Sequence, residues 1–465
     1  MTENNERNYP PRRKPQKRQA MSFPLVCILI AVLITVVFTA ILLGVGSTGP
    51  VDVTLSDTNP TTRPSSSSTT EPTTEPTVPP VTVTGSATVG ATGDLLMHMP
   101  CVRPAAVGDG TYDFTPYFTR LSSYVQAVDY AVANLETTLA GTNNGYAYSG
   151  YPNFNCPDGI VPSLRSAGFD MLLTANNHTY DTRTIGFFRT QEIIAQGGLD
   201  HLGTRPSVEV DNYLIKNIDG IRVGMVCYTY ETSAEADKIS LNGNAPLKDD
   251  EEPLINVFLK DDVAGFSADL KEDIANMKED GAEAIVLYIH WGEEYQTMQN
   301  RQQEAMAQAA CDLGVDVIVG GHPHVIQPID LLTSTTDSAH KTVCLYSTGN
   351  ALSNQRREEM NLKTGHTEDG IFFTFTFVKY SDGTVRVENV EALPLWIDLH
   401  VSSQTGKTVY DILPLDKDVT DWKKEFSLSD ATFTKAEASY DRTMKIVGAG
   451  LEEVQEYLAA LPEIA

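Results

Sequence analysis

The chain has 465 residues, 41% of them hydrophobic, and a formal net charge of −27. So acidic a surface repels nucleic acid, which is excluded as a partner. Acidity of this kind also serves solubility alone, so the charge names no partner by itself.

The first 20 residues run against that trend. Arg7, Arg12, Arg13, Lys14, Lys17 and Arg18 face only Glu3 and Glu6, a net of +4 that leaves −31 for the remainder. Residues 22–46 follow without a charge and strongly apolar, long enough to span about 30 Å of hydrocarbon as a helix. A basic flank before the run and none after it places residues 1–21 in the cytoplasm and the remainder outside. A cleaved signal peptide is the alternative, but its apolar region would be about 7 to 15 residues with a small-x-small site behind it. The expectation is an uncleaved single-pass signal anchor at the cell membrane. Residues 47–82 are rich in Ser, Thr and Pro, a composition that cannot offset its ordering entropy, and are expected to be an extended spacer.

Ordered structure is expected from residue 83. The spacing predicts a strand over 87–93, a helix over 116–126, a strand over 130–134 and a helix over 161–167. A strand over 171–175 and a helix over 185–195 follow. A hairpin over Asp219-Gly220 joins strands 213–218 and 221–228. Then come a helix over 266–278, a strand over 284–290, a helix over 302–313 and a strand over 315–319. Strands over 343–347, 371–380 and 385–393 give a β-rich return. The main domain is taken as 83–398. Residues 399–465 are read as a C-terminal extension, helical around 435–445 and 451–461. Strands alternating with helices before such a return imply an α/β core with an antiparallel second sheet.

Of six cysteines, Cys27 lies in the apolar run, and Cys101, Cys156, Cys227, Cys311 and Cys344 show no CxxC spacing. Cys101 and Cys156 sit in loop-like sequence and could pair in an oxidising exterior. The other three read as buried thiols.

Metal-ligand residue types recur where strands end, the place where open α/β sheets bind ligands. Gly93 gives a sharp exit and aims Asp94 above the sheet, with an ordinary turn as the alternative; His98 could reach the same point. Glu136, directly after a buried strand, is costly to desolvate unless it meets a cation. In Asn176-Asn177-His178 the amide oxygens suit a metal and the adjacent imidazole suits proton donation, with Asp181 close by; an Asx turn is the alternative. His290 ends a strand and is followed by Trp291, Gly292, Glu293 and Glu294, so a neighbouring carboxylate could fix its tautomer. In Gly321-His322-Pro323-His324 two imidazoles around a proline could reach two adjacent metals. Residues 346–350, ending in Asn350, could line the rim.

Taken together, these residues resemble the CapA family of poly-γ-glutamate capsule synthesis proteins, itself similar to the calcineurin-like metallophosphoesterases. The pattern GD, NxE, NNHxxD, HWGxEY, GHPHVxQ and SxGN is met by Gly93-Asp94, Asn134 with Glu136, and Asn176-Asn177-His178 with Asp181. It continues through His290-Trp291-Gly292 with Glu294-Tyr295, Gly321 to Val325 with Gln327, and Ser347 with Gly349-Asn350. The resemblance implies a two-sheet sandwich flanked by helices with a pair of divalent metals, of Mn, Zn or Fe type, at one edge. It implies Asn177, His290 and His322 on one ion, Asp94 and His324 on the other, Glu136 in the bridging place and His178 as proton donor. The implied function is capsule, poly-γ-glutamate or other envelope polymer synthesis, export or release, with synthase or export subunits as partners. The alternatives are a phosphoesterase acting on an envelope phosphate ester and a non-catalytic polymer-binding subunit.

Overall fold

Seventeen strands among the described residues give the protein its frame. In chain order they are β1 (Val83–Leu95), β2 (Ala106–Gly108), β3 (Thr111–Tyr112), β4 (Tyr130–Asn134), β5 (Met171–Leu173), β6 (Asp200–Leu202), β7 (Tyr213–Ile218), β8 (Ile221–Glu231) and β9 (Val257–Leu259). They continue with β10 (Ala284–His290), β11 (Val317–Gly321), β12 (Ile329–Thr333), β13 (Lys341–Leu345), β14 (Asn350–Leu352), β15 (Asp369–Tyr380), β16 (Val385–Val401) and β17 (Thr408–Pro414). This computed structural model describes residues 81–232, 238–403, 405–419 and 421–461. The basic segment, the apolar run 22–46 and the spacer up to residue 80 lie outside the described residues. Among those described, no helix is long and apolar enough to cross a membrane.

The first sheet has eight strands in the order β17-β16-β15-β1-β4-β5-β6, with β14 also on β1. The second has seven in the order β12-β13-β11-β10-β8-β7, with β9 on β8. Both are mixed. Strands β1, β4, β5 and β6 are parallel, as are β8, β10, β11 and β13. The antiparallel second sheet expected from the β-rich return is therefore corrected. Strands β15 to β17 return to the first sheet, β15 pairing with β1 from Thr92↔Phe372 onward. The reason lies in the period-2 pattern of β15, which turns Phe373, Phe375 and Phe377 to the shared core beside Val89 and Ala91.

One core lies between the sheets and joins Ala87, Val89, Val132 and Met171 to Val223, Met225, Val286, Val317 and Leu345. Two larger outer cores attach helices, and a smaller one joins Trp396, Leu413 and Leu415 to Phe426 and Ala436. Leu95, Ala131, Ala133 and Leu172 pack with Phe118, Val161 and Leu164 on one side. Leu287, Ile289 and Ile318 pack with Phe266, Leu270, Met306 and Ala310 on the other. Strands covered on both faces read as continuous apolar runs, which is why β4 and β10 have the bounds read from sequence.

The helix expected over 116–126 resolves into two single turns, Thr115–Phe118 and Ser122–Val125. The boundary expected at 398/399 falls inside β16, and residues 399–461 supply β17, a single helical turn at Trp422–Glu425 and a long helix, Asp430–Ala459. That helix runs unbroken through Gly448 and Gly450. At Gly450 a Cβ would lie 1.8 Å from the Ile329 carbonyl oxygen, so the glycine permits close approach to β12 and does not end the helix. Cys101 and Cys156 are free thiols buried in the same outer core, which corrects their pairing; the Cys156 thiol points at the Pro157 carbonyl at 3.5 Å.

Candidate metal centre

Sheet register brings the expected residues to one edge. Asp94 sits opposite Asn134 of β4 and Asn350 of β14. His290 sits opposite Gly321 of β11. The loops beyond these strands are tied by backbone bonds, Trp291 N–H to Gly321 at 3.1 Å and Tyr295 N–H to Pro323 at 2.8 Å. Glycine is required where strands and loops meet: a Cβ on Gly93 would lie 1.9 Å from the Gly349 oxygen, and one on Gly320 would lie 2.0 Å from the Tyr346 oxygen.

Two buried triads share one residue. Glu136, His290 and His322 present ligand atoms within 4.8 Å of one another, as do Asp94, Glu136 and His324. Glu136 Oε1 lies 3.4 Å from His290 Nε2 and 3.8 Å from His324 Nε2. Asp94 links the sheets: its Oδ2 is 3.1 Å from His324 Nδ1 and accepts the His322 N–H at 3.3 Å, while Oδ1 accepts from Asn134 Nδ2 at 2.7 Å. Asn177 Oδ1 is 2.9 Å from His290 Nε2. Both Glu136 oxygens and His322 Nδ1 are buried without a hydrogen-bond partner. Buried polar groups are almost always paired, so an orphaned carboxylate among imidazoles is the arrangement a cation completes.

The electrostatics agree. Burial pushes the Asp94 carboxyl up, but the hydrogen bond and charge of His324, with His290 and Asn134, outweigh it and hold the group below the usual carboxylate range. Burial opposes protonation of His324 too, yet the Glu136 charge and the Asp94 bond prevail and raise it to about 9. His322 falls well below its ordinary value, from burial first and then from the His290 and His324 charges. Three residues here hold left-handed backbone, His322 at φ 96°, His324 at 55° and Tyr295 at 62°. Such conformations cost of order 1–3 kcal/mol each and cluster at functional sites.

His178 stands beside this centre. Its Nδ1 lies 2.7 Å from Asp181 Oδ2, and its ring meets Phe154 edge-on at 4.7 Å. Asn176 braces the turn, its Nδ2 donating to Asn134 Oδ1 at 3.1 Å and the Leu135 carbonyl at 2.9 Å.

The other candidates do not enter either triad. His98 lies with Nδ1 within hydrogen-bond distance of the Leu96 carbonyl and the Asn354 N–H, and burial lowers it to about 4. Glu294 is exposed beside Tyr295 and does not orient His290, whose Nδ1 faces Asn134 at 3.5 Å. Gln327 is occupied, accepting from Gln303 and donating to the Gln296 and Met298 carbonyls. Asn350 donates to the His324 carbonyl at 3.2 Å and so sets the loop that carries His324. Sequence reasoning missed Tyr230, whose ring lies 4.8 Å from His322 and parallel to His290 at 6.4 Å. It also missed Asn242 and Asn244, which reach His178 and Asp181. Only their Asn-Gly-Asn turn composition could have drawn notice.

The chain is similar to known proteins. The family described as bacterial capsule synthesis protein PGA_cap matches residues 88–355. Capsule biosynthesis protein CapA of Bacillus anthracis is 28% identical over 265 residues, 54% of this chain and 58% of that protein. PGA biosynthesis protein CapA of Bacillus subtilis (strain 168) is 27% identical over 240 residues, 51% of this chain and 57% of that one. The chain thus spans less than two thirds of the length of these relatives. A solved structure titled as a candidate 5'-nucleotidase from Staphylococcus aureus, in complex with alpha-ketoglutarate, superimposes with a TM-score of 0.40 at 13% identity, over 74% of this chain and 58% of that one. With its family match spanning more than half of its residues, the chain belongs to the bacterial capsule synthesis protein family PGA_cap.

Proposed function

We propose that this chain is a membrane-anchored, extracellular CapA-like protein. On this reading it acts in capsule, poly-γ-glutamate or other envelope polymer synthesis, export or release, through a metal-dependent hydrolase-type site. The observation that carries the hydrolase reading is Glu136: it is shared by two buried triads and neither of its oxygens has a hydrogen-bond partner. The donor set suits two borderline divalent cations, one held by Asn177, His290 and His322, the other by Asp94 and His324, with Glu136 common to both. When bound, such a pair supplies hydroxide near neutral pH and stabilises charge on an attacked phosphoryl or carbonyl group. The protein's own part is proton transfer. Asp181 holds Nδ1 of His178, which leaves Nε2 as the nitrogen that delivers a proton to a leaving group. Anchoring rests on the basic residues before 21 and the apolar run 22–46.

The test joins metal analysis of the ectodomain to hydrolysis assays on phosphodiester and γ-glutamyl substrates, with His178→Ala beside the parent. A proton donor contributes about 10²–10⁴-fold to rate. The variant should therefore keep its metals and melting temperature and lose hydrolysis. Loss of metal would make His178 a ligand, and full polymer-related function in the variant would leave the site non-catalytic.

A further inference from the structure

The turn Asn242-Gly243-Asn244 lies in a segment that meets the His178 turn repeatedly. Ile239, Leu241 and Leu247 bury themselves in the core between the sheets, so the turn projects from two anchored flanks. Tyr180 O–H donates to Glu251 Oε2 at 2.5 Å, and Arg183 Nη1 to the Ala245 carbonyl at 3.5 Å. Between these contacts Asn244 Nδ2 donates to Asp181 Oδ1 at 3.1 Å, and Asn242 Nδ2 lies 3.4 Å from His178 Nδ1. Asp181 is buried and its other oxygen is taken, accepting the Phe154 N–H at 2.6 Å and facing His178 Nδ1 at 2.7 Å. Asn242 at φ 51° and Gly243 at 63° are both left-handed, which brings the two amides of the turn to the dyad.

We propose that Asn244 is a positioning residue of this site, carried by segment 238–251: its amide fixes the Asp181 carboxylate, and through it the ring of His178. The proposal rests on the reading of His178 as proton donor. A carboxylate with two oxygens can rotate about its terminal bond, and a donor on Oδ1 opposite the His178 bond on Oδ2 removes that freedom. The ring is then locked about the axis that matters for proton delivery. The Asn244 amide has to be a donor. An acceptor of the same shape would face the Asp181 oxygen with like charge and push it away from His178.

Two substitutions in the metal-loaded ectodomain test this, Asn244→Ala and Asn244→Asp. Partners behind an active group are worth roughly 10- to 100-fold. For hydrolysis of bis(p-nitrophenyl) phosphate, Asn244→Ala should lower kcat roughly 10-fold and Asn244→Asp by more, toward about 100-fold, with KM and metal content held. The order is diagnostic, because a merely space-filling Asn244 would tolerate the isosteric Asp better than Ala. The second readout needs no turnover. In nitrogen-15 spectra of histidine-labelled protein, the hydrogen-bonded Nδ1 proton of His178 should be sharp in the parent and broadened by exchange in both variants. An unchanged His178 signal, or Asp milder than Ala, overturns the proposal. A metal-loaded parent that hydrolyses neither phosphodiester nor γ-glutamyl substrates overturns the hydrolase reading instead, and the His178 signal still decides the role of Asn244.

Discussion

Replacing Glu136 by Gln separates two effects that the structure places on one side chain. In the metal-free protein the carboxylate is attracted to protonated His324 at 3.8 Å, worth about 4 kcal/mol if the effective dielectric is near 20. Against this stands a buried anion without any hydrogen bond, a cost of at least about 1–3 kcal/mol. The terms oppose and are of similar size, so Glu136→Gln should leave metal-free stability within about 2 kcal/mol of the parent. With metal the outcome differs. Ligand at 100 times its dissociation constant stabilises the folded state by about 2.7 kcal/mol per site, and the shared negative charge is lost from both triads at once. The assay is metal per chain by elemental analysis, with thermal melts with and without Mn²⁺ or Zn²⁺. The parent should gain several degrees on metal addition; the variant should melt near the metal-free parent and gain almost nothing. A variant that keeps both metals and the full metal-dependent gain would refute a shared Glu136.

Four further outcomes follow, three from the same geometry and one from the N-terminal sequence. His322→Ala and His324→Ala should each lower metal affinity at least about 10-fold with the fold intact; elemental analysis finding unchanged metal in both would remove these imidazoles from the site. His324, raised to about 9 without metal, is protonated at pH 7.5 and must lose that proton to bind a cation, so loading should release close to one proton per chain, measured by calorimetry in buffers of different ionisation enthalpy. The sign for stability is that of a raised histidine: its contribution to the metal-free protein is complete below about 6.5 and fades as pH climbs through about 9, visible as a falling melting temperature only when metal is withheld. Protease added to intact cells should digest the domain after residue 47, and full protection of the chain would reverse the orientation read from residues 1–46.

What was legible in the sequence is what short-range chemistry dictates. Buried strands such as β4 and β10 announce themselves as apolar runs, and each is followed by a ligand-type residue the sheet register then brings together. The three-residue strands β6 and β14 are too short to show a period, and β14 matters because it places Asn350 beside Asp94. The C-terminal part looked like a polar appendage because the long helix buries only a narrow face, yet that face joins the core between the sheets, and β17, five of whose seven residues are buried, completes the first sheet on β16. Tyr230 and Asn244 were beyond reach for another reason. Their partners lie about 60 to 90 residues away in sequence, and neither an aromatic at a strand end nor an Asn in a turn is unusual enough to reveal them.

The backbone strain at His322 and His324 bears on why the site is built from two sheets. Each residue sits at positive φ in a loop that Asp94, from the opposite sheet, grips through the His322 N–H and the His324 ring. Asp94 is itself held by Asn134, and Asn134 by Asn176, the neighbour of Asn177 and the start of the His178 turn. The chain of contacts therefore runs from the imidazoles of the second sheet through the carboxylate and amides of the first to the proposed proton donor. A strained loop on one sheet alone could relax by small shifts of its own backbone. Relaxation here would have to break bonds on both sheets, and these share a core of close-packed side chains that does not deform continuously. The sandwich thus holds these groups at ligand spacing while the Glu136 oxygens and His322 Nδ1 stay without hydrogen-bond partners.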